Sequence, residues 1–276
     1  MDIQVANLED PVSRRISMSE LACFAFEAIA GCKPSDAQRA VLENVKKPAE
    51  LQKKLLTANE FGHAARFFRM AHEIAALDRA RGSNDIRLVV GAAGTRFDGW
   101  LSTNERLLNL LRPETWREWL DENSVKIILA EHVWEHLSES EGIAAAKTCF
   151  QFLAPDGRLR LAVPDALKPD PAYHEYCRSY PGHKVFHDYR SLSQVLRAAG
   201  FTVHLLEYWD EHGTFHENAW SSSDGHVGRS RRFDGRNKGG SELNYTSLMV
   251  DGIKPSITSL MVDAVKGKDR GRRRRR

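Results

Sequence analysis

The stretch "VKIILAEHVWEHLSESEG", residues 125–142, decides how the chain is read. Val125–Ala130 is an apolar strand pattern broken only by Lys126, and Ser138 starts a new helical pattern. The polar residues between them, Glu131 to His136, therefore stand where a strand leaves a sheet.

The same texture extends on both sides. "IRLVVGAAGT", from Ile86, is a short β-branched run ending in a glycine turn, and "GRLRLAVPD", Gly157–Asp165, is another strand. Between the strands at 125 and 157, "EGIAAAKTCFQFLAPDG" reads as a helix closed by Pro155 and Gly157. "SLSQVLRAAGFTVHLLEYW" gives a helix, a stop at Gly200 and a strand, and Asn244–Ile253 gives the last strand. Strands alternating with helices predict an α/β fold, a Rossmann-like doubly wound and mostly parallel sheet. Two long connections, Pro169–Arg190 and Asp210–Glu242, are rich in His, Tyr, Trp, Gly and Arg. Long loops at the carboxyl edge of such a sheet form the substrate side of a crevice.

Residues 1–82 read differently, as a small all-helical module punctuated by Pro34 and Pro48. "SMSELACFAFEAIAG" offers an N-cap serine and the terminating Gly31. "LLTANEF", Leu55–Phe61, resembles the closing motif of a short helical domain often fused to bacterial surface-polysaccharide proteins. "ARGSND", Ala80–Asp85, is the expected linker, which places the α/β domain at 83–258 and a tail at 259–276.

Bulk composition narrows the class. The chain has 276 residues, 42% hydrophobic and 28% charged, with no apolar run near the roughly 20 residues a membrane span needs. Acidic Asp2, Glu9 and Asp10 stand where a secretory signal would be basic, so a cytoplasmic location is expected. Cys23, Cys32, Cys149 and Cys177 are too sparse for a disulfide framework. The net charge of +3 conceals an asymmetry: Lys266–Arg276, "KGKDRGRRRRR", holds eight basic residues and one acidic, leaving 32 basic against 36 acidic elsewhere. The basicity belongs to a tail that reads as solvated and disordered, and no specific nucleic-acid partner is expected.

HVWEH, His132–His136, matches H-x-x-E-H, an inverted zinc-site signature. That site needs both histidines on one face of a helix, and here the first follows a strand, so no metal is expected. More residues are explained together by a resemblance. "LVVGAAGT", "GWLSTN", "IILAEHVWEHLSESEG" and "LAPDGRLRLAVPD" are similar in order to class I S-adenosylmethionine-dependent methyltransferases. In particular they resemble a predicted bacterial group, methyltransferase type 11-like, with E-H-V-x-E-H after the fourth strand. The similarity runs from about Ile86 to Pro255 and includes "GHKVFHDY", "RRFDGRN" and "LNYTSLMVDGIKP".

The resemblance implies a cofactor turn at Gly91, Ala92, Ala93, Gly94 and Thr95, with a helix start behind it offering free N–H groups. It also implies that Glu131 and His132 line the pocket near adenosine and methyl group. Two positions depart from the pattern: Ala93 stands where glycine is usual, and Asn104 where an acidic residue accepts the ribose hydroxyls. For proton removal from an acceptor hydroxyl, His132 is the first candidate and Asp165 the second. His183, Lys184 and Asp188 are candidates to orient a polar, glycan-type acceptor, and Arg229, Arg231, Arg232 and Arg236 to clamp an anionic group. The implied activity is methyl transfer, at oxygen, in polysaccharide biosynthesis. The competing expectation is a non-catalytic binding module on a decayed scaffold, recorded in Ala93 and Asn104.

Overall fold

The computed structural model describes residues 22–23, 26–27, 33–44, 73–238 and 243–256. The chain divides into two compact units, Met1–Ala75 and Ala76–Arg276. The expected junction at 82 lies beyond that division. Within the first unit, helix α1 (Asp36–Glu43) is set by a capping box, in which Ser35 and Gln38 each accept the other's backbone N–H. "LLTANEF" and the tail at 259–276 lie outside the described residues, as does most of "SMSELACFAFEAIAG". Among the described residues, no helix is long and apolar enough to cross a membrane.

The second unit carries a seven-stranded sheet. In chain order its strands are β1 (Ile86–Val89), β2 (Leu101–Ser102), β3 (Val125–Glu131), β4 (Leu153–Val163), β5 (Thr202–Trp209), β6 (Phe215–Glu217) and β7 (Leu248–Ile253). Their spatial order is β2-β1-β3-β4-β7-β5-β6. β2, β1, β3 and β4 are parallel, whereas β7 runs antiparallel between β4 and β5. The expected Rossmann-like, mostly parallel sheet is present, with its last strand reversed. Helix α2 is short (Pro113–Arg117), and the long α3 (Glu139–Phe152), α4 (Pro171–Ser179) and α5 (Tyr189–Ala198) follow. In α3 and α5, Ser138 and Asp188 act as N-caps by accepting backbone N–H groups one turn on.

Three local differences from the expectation have physical causes. First, no helix follows β1; residues 90–100 pass to β2 through turns and loop. Gly91, Ala93, Gly94 and Gly99 all take positive φ there, which interrupts any helical run. Second, α3 stops at Phe152, because Leu153 already pairs with Val125 and the residues after it bend, with Asp156 at φ 62°. Third, α4 forms inside the connection read as a long loop, since Asp170 caps it by accepting the N–H of Tyr173 and Pro171 takes its first turn.

The reversed strand is locked by charge inside the sheet. Arg160 of β4 lies directly opposite Asp251 of β7, and both are buried. Its Nε donates to Asp251 Oδ1 and its Nη2 to Oδ2, each at 2.8 Å, a bidentate pair. Nη1 donates to the carbonyls of Ser221 and Gly225 at 2.7 Å, and the guanidinium lies over the Trp220 ring. Removing one partner strands a buried charge. Asp251→Asn is therefore expected to lower the unfolding free energy by about 3–5 kcal/mol in urea titration.

Candidate functional site

β3 delivers Glu131 to its carboxyl end, and the chain then turns sharply: His132 adopts φ 56°, left-handed for a residue with a side chain. Its N–H still donates to Ala162 at 2.8 Å, continuing the sheet by one residue. The ring is mostly buried. Nε2 is 3.1 Å from Ser247 Oγ, and Nδ1 is 2.9 Å from Glu135 Oε1. A 3-10 turn over Trp134–His136 follows, anchored by the buried Trp134, whose indole N–H donates to Gly142 O at 3.2 Å. This turn puts Glu131, His132, Glu135 and His136 along one wall of a cavity of about 850 Å³. H-x-x-E-H is thus not a regular helix, and His132 does not stand one turn below His136.

The cavity floor is the turn after β1, with Gly91, Ala92, Ala93 and Thr95 facing in. Ala92 N–H donates to Thr103 O and Thr95 N–H to Ala92 O. The N–H groups of Gly91, Ala93 and Gly94 have no acceptor among the described residues. Gly91 is required twice over: it takes φ 62°, and a Cβ there would sit 2.6 Å from Val133 Cγ2. Ala93 takes φ 47°, a left-handed conformation that is strained for a residue with a Cβ. Ala93→Gly should raise stability by about 1 kcal/mol, measurable as a shift of the urea midpoint.

The opposite wall comes from α4 and the segment after it, with Tyr173, Tyr176, Tyr180 and His183. The third side is Gly228, Arg229, Arg236 and Tyr245. Glu131 holds that side in place: its Oε1 accepts the N–H of Arg229 at 2.7 Å and its Oε2 that of Gly228 at 3.2 Å. Arg236 is bidentate to Asp234 and stacks 3.6 Å over the Tyr245 ring. The Arg229 guanidinium has no hydrogen bond or ion pair among the described residues.

Of the residues expected from sequence, the structure gathers Gly91, Ala92, Ala93, Thr95, Glu131, His132, His183, Arg229 and Arg236 on the cavity wall. The others lie off it. Gly94 sits within the turn but does not face the cavity, and Asn104 Oδ1 accepts the N–H of Arg106 at 2.9 Å. Lys184 Nζ reaches outward to Glu141 Oε2 at 2.8 Å, Asp188 caps α5, and Arg232 lies exposed over Phe233. Sequence reasoning missed the three tyrosines of the α4 wall and Tyr245. The Asp170–Pro171 helix-start signal was available to find the former.

Asp165 is fully buried, with Oδ1 accepting the N–H of Leu167 and Oδ2 that of Trp209. Burial pushes its carboxyl from 3.8 up to about 6, against the lowering effect of those two bonds. The folded chain thus holds this proton more tightly than the unfolded chain. The resulting stabilisation is complete below the unfolded value and is lost as pH rises through about 6. Relative to Asp165→Asn, the wild type should gain up to about 3 kcal/mol as pH falls from neutral toward 4, measured by urea unfolding across pH.

No protein-family model matches the chain, and no curated protein does. Among solved structures, similarity is found to an S-adenosylmethionine-dependent methyltransferase from Archaeoglobus fulgidus, at 13% identity and a TM-score of 0.36. It covers 67% of this chain and 93% of that one. A possible histamine N-methyltransferase from Thermotoga maritima matches at 12% identity and a TM-score of 0.36, over 72% of this chain and 98% of that one. A possible exported protein from Bordetella parapertussis matches at 13% identity and 0.35, over 90% of this chain and 99% of that one. Overlap at this level makes no statement about activity.

Proposed function

We propose that the chain is an S-adenosylmethionine-dependent methyltransferase acting at an oxygen of a small polar or glycan-type acceptor. One observation carries the reading: a cavity of ligand size opens at the carboxyl ends of β1, β3 and β4, where such sheets bind ligands. The chain's donors suit the cofactor's polar end, since the open amides of Gly91 and Ala93 and the Arg229 guanidinium are what an amino-acid carboxylate requires. S-adenosylmethionine would supply a methyl group on a sulfonium already primed for in-line displacement.

The remaining work falls to the walls. The tyrosine rings present apolar faces with hydroxyl tips, which suits an acceptor alternating apolar and hydroxyl surfaces, as a sugar does. They also exclude water and hold the acceptor near attack distance. On this reading His132 takes the acceptor proton, which requires Nε2 to exchange its Ser247 contact for the acceptor, and Glu135, 2.9 Å from Nδ1, meets the resulting charge. Asp165, with both oxygens engaged by backbone amides, serves the fold beneath the site.

A second reading, a non-catalytic binding module, is favoured by the helix-free connection after β1 and by Asn104 lying off the cavity wall. Calorimetric titration with S-adenosylmethionine separates the two. The methyltransferase reading expects micromolar binding that weakens about tenfold or more in Arg229→Ala. Asn104→Asp, a change off the cavity wall, is expected to leave that affinity unchanged. No heat up to about a millimolar would leave the binding-module reading.

A further inference from the structure

The geometry points to a divalent transition-metal site formed by Glu135, His136 and His183 at the α4 end of the cavity. The three side chains meet there whether or not the cavity takes a methyl donor. One ligand atom from each lies within 4.8 Å of the other two. Around a metal held by bonds of about 2.1 Å, tetrahedral ligand atoms stand roughly 3.4 Å apart, so side-chain adjustments of up to about 1.4 Å close the set.

Each ring is already oriented as a ligand. His136 Nδ1 lies 3.1 Å from Gly182 O, and His183 Nδ1 lies 2.8 Å from Cys177 O. A carbonyl only accepts, so both Nδ1 atoms carry the proton, and both Nε2 lone pairs are left to bind. A backbone carbonyl behind a histidine is the usual support for a metal-bound imidazole. The two rings meet edge to face, 4.9 Å between centroids.

Glu135 is the second, independent observation. It is 1% exposed, and neither carboxylate oxygen has a hydrogen-bond partner. His132 Nδ1, 2.9 Å from Oε1, lies outside hydrogen-bonding geometry. A buried, unbonded carboxylate costs several kcal/mol, and a cation between it and two imidazoles offsets that cost. The frame is also fixed in advance. The carbonyl of Glu135 accepts the N–H groups of both Lys184 and Val185, tying the 3-10 turn to the segment that carries His183.

Two imidazoles and one carboxylate select a borderline metal such as Zn²⁺ over Mg²⁺ or Ca²⁺, which prefer all-oxygen sets. All three ligands line the cavity, so the remaining coordination positions face whatever enters it. There a metal-bound hydroxyl or water would lose its proton more readily. The H-x-x-E-H spacing therefore lies close to a metal set, but with His183 in place of His132.

The test is titration of chelator-treated full-length protein with Zn²⁺ against a chromophoric chelator, with Co²⁺ absorption as a second readout. One equivalent should bind, raise the melting temperature and give visible Co²⁺ bands. His183→Gln should weaken Zn²⁺ binding by at least about 100-fold and abolish the bands, while His216→Gln, away from the cavity, leaves both unchanged. His136→Gln asks the same question should His183→Gln fail to fold. Absence of stoichiometric binding by the wild type, or binding that survives both cavity variants, would overturn the proposal. Titration with S-adenosylmethionine is scored separately, so either reading can fail alone.

Discussion

The pairing of Arg160 with Asp251 governs the geometry of the α/β unit. It places a charge in the middle of the sheet and satisfies it on every side: a carboxylate on β7, two carbonyls at 221 and 225, and an indole face. Only one register of β7 against β4 puts Asp251 there, so the pair fixes the reversed strand as well as holding it. The two carbonyls extend the effect into the segment that follows. Val227 drops into the core beside Val89, Leu129 and Met249, and the next two amides reach Glu131. A buried ion pair at one edge of the parallel strands thus sets the third side of the cavity.

Much of the sheet was legible because its strands are apolar on both faces and its helices carry ordinary caps. β3 begins at the expected residue, Val125, and runs one residue past Ala130. The glycine stop at Gly200, φ 100°, precedes β5 as read. Legibility ended where the backbone, and not the pattern of apolar residues, makes the decision. The run "GAAGTRFDG" gives no hint in hydrophobicity that three glycines and an alanine at positive φ will replace a helix. Likewise "PDPAYHEYC" looks like loop until Asp170 is recognised as a cap.

The candidate site was legible in part for a related reason. Glu131 and His132 follow from the end of a strand, and Gly91, Ala92, Ala93 and Thr95 from the turn the resemblance implied after β1; those reached the cavity. Asn104, Asp165, Lys184, Asp188 and Arg232 depend on where short connections point, which spacing does not specify. Each is spoken for elsewhere, by a turn, two amides, a carboxylate, a helix cap or a ring. Asp165 illustrates the difference: the carboxyl at a strand end has the right address and faces the wrong way.

The carbonyl of Glu135, shared between the amides of Lys184 and Val185, has a mechanical meaning. Two segments nearly fifty residues apart in sequence meet at a single peptide unit, and that unit sits between the His132 side of the cavity and the His183 side. The two sides of the cavity are thereby joined backbone to backbone, with no side chain between them.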